Sequence, residues 1–445
     1  MTRPRSPSQE LDPPRPLPGI AVMGVLAVIA GAATGLVGGA FRWCLERAGD
    51  LRTDLLHWAA AIDGPGWLVP VATTAAGAAL AAAIVALVPR AIGSGIQDVE
   101  AVNRGDLEAP PLRVLPAKFA GGLLAIGSGL VLGREGPSVH MGAVLGAEAG
   151  RRAGRSDEDV RLLQTSIAGA GLAVAFTAPI GGALFVFEEV TKSFRPRIVL
   201  PTLLGVASAV GTSHLILGDR PDFDVHAVQA PGLELLPVFV IFGLLTGLLG
   251  ALYNVLVVRA LDLVAFASRV PQIVKAAVIG AVVGLTLALD PLLAGGGDPV
   301  TQLVLGGSAF AVPLLLMYVC IRFVAGPLSY AAGTPGGLFA PLLAVGALWG
   351  LIFARLVEAV LPGHDVGVPM AIVGMAAFFA ATVRAPLTGV VLVVEMTAIT
   401  ATAVPMLAAA GAAVLAASLV RSAPIYDTLR ERMLQSSGAS GSSGN

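Results

Sequence analysis

One carboxylate, Glu135, stands in the loop Gly133-Arg134-Glu135-Gly136-Pro137, in the middle of an otherwise apolar stretch. An ionisable side chain in such a setting costs several kcal/mol when unpaired, so its presence points to a function. The glycines bring backbone close, and Pro137 suits the first position of a helix running through Ser138 to Gly150. Gly336-Gly337-Leu338-Phe339-Ala340-Pro341 uses the same device, opening a helix to about Arg355. In Gly93-Ser94-Gly95-Ile96-Gln97, Ser94 and Gln97 have capping-box spacing, which predicts a third helix start with a hydroxyl at its tip. A helix N-terminus offers unpaired N–H groups and about half a positive charge, so three converging ends would hold an anion without a fixed cation to trap it. The bland alternative makes them ordinary helix starts in glycine-rich packing. For Glu135 the alternative is a structural salt bridge with Arg134, although adjacent residues rarely face each other on regular structure.

The elements that must position these loops are duplicated. Gly133, Pro137, Gly142, Ala143 and Gly146 recur at the same spacing as Gly337, Pro341, Gly346, Ala347 and Gly350, and Ala178-Pro179, Gly182 and Glu188 recur as Ala385-Pro386, Gly389 and Glu395. The first copy is followed by Lys192, Arg195 and Arg197, whereas after Glu395 no basic residue occurs before Arg421. By the positive-inside rule the copies end on opposite sides, as in an inverted repeat with a transport site at mid-membrane. Chance similarity between Gly/Ala-rich helices is the competing explanation.

Composition agrees with a membrane protein: 445 residues, 56% hydrophobic, 13% charged and a mean hydropathy of +0.83. A net charge of -1 implies neither nucleic acid nor an acidic substrate. Apolar runs such as 19–41, 114–132, 232–266 and 366–394 are uneven in length, as expected of helices that tilt or stop partway. Cys44 and Cys320 are too few and too far apart for a disulfide framework. The organisation expected is a polar cytoplasmic tail at 1–17, one membrane transport domain at 18–433, and a Ser/Gly-rich disordered tail at 434–445. The repeats would span about 18–226 and 227–433. The polar, proline-rich start argues against a cleaved signal peptide. No metalloprotease, clustered Cys/His or phosphate-loop motif occurs, so neither a metal nor a cofactor is expected.

Gly93-Ser94-Gly95-Ile96, Gly133-Arg134-Glu135-Gly136-Pro137, Gly337-Leu338-Phe339-Ala340-Pro341 and Tyr426 resemble, in order, the signature set of the CLC chloride channel and transporter family. The resemblance runs from about residue 20 to 433 and implies an all-α integral membrane fold of two inverted-topology repeats, assembled as a homodimer with one pore per subunit. It also implies a prokaryotic plasma (inner) membrane, with chloride and protons as substrates. By motif, the Ser94 and Tyr426 hydroxyls and the Leu338 and Phe339 N–H groups would hold the central chloride. Gly93, Arg134, Gly136 and Ala340 complete the implied anion-binding set. Glu135 would be the gating carboxylate, competing with chloride for the outer site when ionised and leaving it when protonated.

Family members that exchange protons generally keep an inward-facing glutamate, and Glu189 falls on that position. The bland reading makes Glu188 and Glu189 the solvated end of a helix. Because Glu188 matches Glu395 in the repeat, a structural role suits it better, and Arg384 and Glu395 are read as stabilising helix ends. Lys118 and Glu100 resemble family positions near the pore, with interfacial snorkelling as the alternative for Lys118. His140 reads as a packing residue rather than a proton carrier. Gln97 departs from the proline the family commonly has there, and Ser94 itself favours chloride over nitrate by resemblance. The reading is a proton-coupled chloride antiporter, not an enzyme; a passive chloride channel or a carrier for another monovalent anion are the alternatives.

Overall fold

A computed structural model describes residues 17–226 and 228–442. The polar tail expected at 1–17 falls almost entirely on residues 1–16, outside the described residues. The first eight helices are α1 (Leu17–Ala60), α2 (Leu68–Leu87), α3 (Ile96–Arg104), α4 (Val114–Gly127), α5 (Glu135–Arg152), α6 (Asp157–Phe176), α7 (Pro179–Phe185) and α8 (Pro196–Leu217). Eight more follow: α9 (Leu236–Phe266), α10 (Gln272–Leu289), α11 (Asp298–Leu305), α12 (Val312–Ala331), α13 (Phe339–Val360), α14 (Gly367–Val383), α15 (Pro386–Thr397) and α16 (Ala403–Leu419). A last helix, α17 (Ile425–Ser442), has no counterpart in this series.

The two sets of eight are the same structure twice. Short 3-10 turns at Pro89–Ala91 and Pro291–Leu293 precede α3 and α11, and each of these helices starts on a left-handed glycine, Gly95 (φ 92°) or Gly297 (φ 103°). Within each set the partners match, α5 lying along α6 as α13 lies along α14, and α1 along α8 as α9 along α16. The repeated glycines explain how. A Cβ on Gly142 or Gly146 of α5 would run into the carbonyls of Ile167 and Leu163 on α6, and Gly346 and Gly350 of α13 meet Gly374 and Met370 of α14 in the same way. In lipid, helix association relies on such close backbone approach.

The copies are inverted. Gly133 and Gly337 exchange both N–H···O bonds at 2.8 Å in an antiparallel bridge, so α5 and α13 begin at one point and diverge. Beyond the end of α7, Glu188 accepts hydrogen bonds from Leu387 N–H (3.1 Å), Thr388 N–H (2.7 Å) and the Thr388 hydroxyl (2.7 Å) at the start of α15. Near the end of α15, Glu395 accepts from Ile180 N–H (2.9 Å) and Gly181 N–H (2.7 Å) at the start of α7. Each carboxylate thus caps the other repeat's helix, which requires α7 and α15 to run antiparallel and gives Glu188 and Glu395 the structural role expected of them.

Seven helices among the described residues are long and apolar enough to cross a membrane. Others, including α4, α14 and α15, are shorter, as the uneven hydropathy predicted. Three boundaries differ from expectation. The run at 366–394 divides into α14 and α15 because Ala385-Pro386 cannot continue a helix. The run at 19–41 is only part of α1, which continues to Ala60 through Arg42, Glu46 and Arg47, since hydropathy marks apolar surface rather than helix length. The tail expected to be disordered from 434 is helical to Ser442; the first turns of α17 are docked through buried Ile425, Tyr426, Leu429 and Arg430, and the helix propagates from them.

Candidate functional site

Three interrupted segments converge beside the Gly133–Gly337 bridge. Gly336 N–H donates to Gly93 O (3.1 Å), tying the Ser94 loop to the start of α13, and Gly136 at the start of α5 lies directly under Ser94, where a Cβ would overlap the serine side chain. The backbone of Gly136 can come this close to Ser94 only because it has no side chain.

Glu135 is wholly buried and points across this junction, accepting a 2.7 Å hydrogen bond at Oε1 from Phe339 N–H, the first residue of α13. Its carboxylate therefore occupies the anion cradle that the two helix ends create. Oε2 has no hydrogen-bond partner in the protein. Leu338 is the residue preceding α13, and Ala340 follows Phe339 in its first turn, both buried.

Next to this seat lie the Ser94 and Tyr426 hydroxyls, neighbours of each other, both fully buried and both without a hydrogen-bond partner in the protein. Two orphaned donors side by side in a low-dielectric interior are costly unless they serve a ligand. The Tyr426 ring is fixed edge-on against Phe339, at 5.5 Å between centroids and 72° between planes. Ser94 is free because the capping box expected between it and Gln97 does not form: left-handed Gly95 supplies the turn, no side chain caps α3, and the Gln97 amide is directed to the Tyr330 hydroxyl at 3.5 Å. The helix start survives the loss of the usual proline, and the serine hydroxyl keeps its proton to donate.

Arg134 does not pair with Glu135. Its guanidinium donates to Asp222 (2.9 Å), Asp298 (3.1 Å) and Ala175 O (2.8 Å), and Asp222 also pairs with Arg42 at 2.6 Å. This network, assembled from α1, the loop after α8, the residue preceding α5 and the start of α11, is buried at Asp222 and half-exposed at Asp298, and it anchors the residue next to Glu135. Asp222 and Asp298 escaped notice in the sequence because each sits in a polar, Gly/Pro-rich connection with no motif around it.

Glu189 lies on a separate, second cluster. Val186–Val190 forms a single π turn, which turns Glu189 inward while Glu188 faces α15. Glu189 is buried and its Oε1 has no partner. Around it stand Glu100, Lys192 and Asp427; Glu100 pairs with Arg430 (3.1 Å), and Asp427 with Lys192 (3.1 Å), Arg430 (2.8 Å) and Arg104 (3.3 Å). Tyr426 and Asp427 are adjacent in the first turn of α17, so one helix contributes to both clusters. Arg430 and Asp427, on the same helix as Tyr426, were not singled out from sequence, where they read as the polar face of a terminal helix.

Lys118 does not snorkel. It is fully buried and donates to the carbonyls of Ala91 (3.0 Å), Ile92 (3.3 Å) and Gly93 (2.7 Å), gripping the approach to Ser94. In the second repeat Arg322 grips Leu292 (3.0 Å), Ala294 (3.2 Å) and Gly295 (3.0 Å) the same way. Only the first loop carries a hydroxyl at its tip; the corresponding residue between Gly295 and Gly297 is Gly296.

The family model described as voltage gated chloride channel matches residues 76–418. The H(+)/Cl(-) exchange transporter ClcA of Vibrio parahaemolyticus is 36% identical over 421 residues, covering 92% of this chain and 90% of that protein. The corresponding ClcA of Vibrio cholerae is 37% identical over 419 residues, at 92% and 89% coverage. Among solved structures, a slow cyanobacterial Cl-/H+ antiporter superposes with a TM-score of 0.86 at 30% identity, over 93% of this chain and 98% of that one.

Proposed function

Because this chain belongs to the voltage-gated chloride channel family, we propose that it exchanges chloride for protons across a membrane, with Glu135 as the gate and Glu189 as the inner proton-transfer residue. The relatives named as exchangers support the activity. The observation that carries the residue roles is the Glu135 carboxylate seated on the Phe339 N–H, at the start of α13 and beside two unpartnered hydroxyls. That seat favours any compact anion, so carboxylate and chloride compete for it. Protonation removes the charge that holds Glu135 there, the side chain leaves, and chloride takes its place. Each ion thereby shifts the occupancy of the other, which is the thermodynamic content of coupled exchange.

Ser94 and Tyr426 donate to the chloride that takes this seat, with the Leu338 and Phe339 N–H groups; Gly93, Gly136 and Ala340 keep the backbone close, and Arg134 acts through its carboxylate partners rather than as a direct ligand. Neutral donors hold chloride without neutralising it, so it is released readily. Glu189 takes protons from the side on which Lys192, Arg195 and Arg197 lie, the cytoplasmic side by charge. Residues 18–433 act as one transport domain, and two such subunits form a homodimer with a pore in each, in a bacterial plasma membrane.

Purified protein in vesicles decides between exchange and passive conduction. An imposed chloride gradient should drive protons uphill in the wild type, and Glu189→Gln should abolish proton movement while chloride flux persists. Chloride flux with no proton movement in the wild type would make it a channel.

A further inference from the structure

His140 is buried with 0% exposure, and the exchange mechanism above makes no use of it. It lies one turn along α5 from Gly136, so the two residues share the face on which the Gly93–Gly95 loop rests. Gly136 supports Ser94. The imidazole supports Gly95, whose missing Cβ would overlap the ring at Cβ, Cγ and Nδ1. Gly95 is left-handed at φ 92°, a conformation that disfavours a side chain there as well.

The same loop is closed by a clasp. Arg90, in the turn before it, donates to both carboxylate oxygens of Asp98, in the helix after it, at 3.0 and 2.8 Å. Asp98 is 4% exposed, and its Oδ1 lies 3.4 Å from His140 Nε2. Lys118 holds the chain leading into the loop through the carbonyls of Ala91, Ile92 and Gly93. Ser94 Oγ is left without a partner in the protein, beside Tyr426.

We propose that His140 is a specificity-determining positioning residue: the imidazole, oriented by the Arg90–Asp98 clasp, sets the height of the Ser94 hydroxyl and thereby makes the cradle discriminate a monatomic halide from a planar oxyanion. This rests on the reading of Ser94 as an anion ligand. The physical ground is that discrimination between similarly charged anions depends on donors held at fixed positions. A loop resting on an alanine instead of a ring would let Ser94 sink toward α5, widening the cradle so that nitrate fits.

The experiment measures the nitrate-to-chloride permeability ratio of the full-length protein in planar bilayers or vesicles, for wild type, His140→Ala, His140→Gln, Asp98→Asn, Ser94→Ala and the His140→Ala/Ser94→Ala pair. His140→Ala should raise the ratio roughly three- to tenfold, toward the lower end of the coupling seen between residues in contact. His140→Gln, which can refill the space and reach Asp98, should restore most of the chloride preference. In the Ser94→Ala background, His140→Ala should add nothing, because its effect passes through the serine. An unchanged ratio in His140→Ala, or an equal further rise in the Ser94→Ala background, overturns the proposal. Should His140→Ala not fold, Asp98→Asn decides the matter, with a raised ratio supporting the role and a wild-type ratio refuting it. If Ser94→Ala itself leaves the ratio unchanged, it is the anion-ligand reading that fails.

Discussion

Replacing Glu135 with alanine vacates the seat at the start of α13 and should tighten chloride binding. In the wild type the carboxylate accepts one 2.7 Å hydrogen bond from Phe339 N–H inside a fully buried site. A hydrogen bond to a charged group contributes about 1.5–3 kcal/mol net. Chloride entering that seat must first displace the carboxylate, so its apparent dissociation constant is multiplied by about the carboxylate's occupancy ratio, some 10- to 150-fold for that energy. Glu135→Ala removes this competition, and its affinity for chloride should exceed that of the wild type by about that factor at neutral pH. Glu135→Gln keeps a carbonyl oxygen able to accept from Phe339 N–H, but a neutral bond is worth about 0.5–1.5 kcal/mol, so its gain should be smaller than that of alanine. Titration calorimetry of the detergent-purified protein with chloride measures both. As the pH falls far enough to protonate Glu135, wild type and alanine variant should converge. Equal chloride affinity in wild type and Glu135→Ala at neutral pH would refute the idea that carboxylate and chloride share one site.

The remaining predictions concern the scaffold. Glu188→Gln and Glu395→Gln should each lower thermal stability by about 1–2 kcal/mol, the value of a charged helix cap, while leaving the chloride-to-proton ratio unchanged; a lost ratio with unaltered melting would contradict a purely structural exchange of caps. Asp222→Asn removes the charge shared by Arg42 (2.6 Å) and Arg134 (2.9 Å) and should destabilise the fold by about 3 kcal/mol or more, with Asp222→Glu recovering part of it. A melting temperature equal to that of the wild type in the asparagine variant would show that Asp298 alone suffices to anchor Arg134.

Residue type and spacing alone determined the membrane class, the duplication, the three glycine-broken helix starts and the position of the carboxylate Glu135 on one of them, because each depends on local rules: apolar run length, the φ freedom of glycine, the missing donor of proline. The inversion was legible too, through the basic residues that follow Glu188 and the lack of them after Glu395. What the sequence could not determine was which side chain faces which across the junction. Ser94 and Gln97 have the spacing of a cap yet do not form one, since a left-handed Gly95 takes over the turn and frees the hydroxyl. Glu188 and Glu189 are adjacent in sequence, and only the π turn sends one to cap α15 and the other into the interior. Arg134 stands beside Glu135 but is claimed by Asp222, in the loop after α8, and Asp298, at the start of α11. In each case a buried polar group must find its partners in three dimensions, and the cost of leaving it unpaired is what the tertiary structure settles.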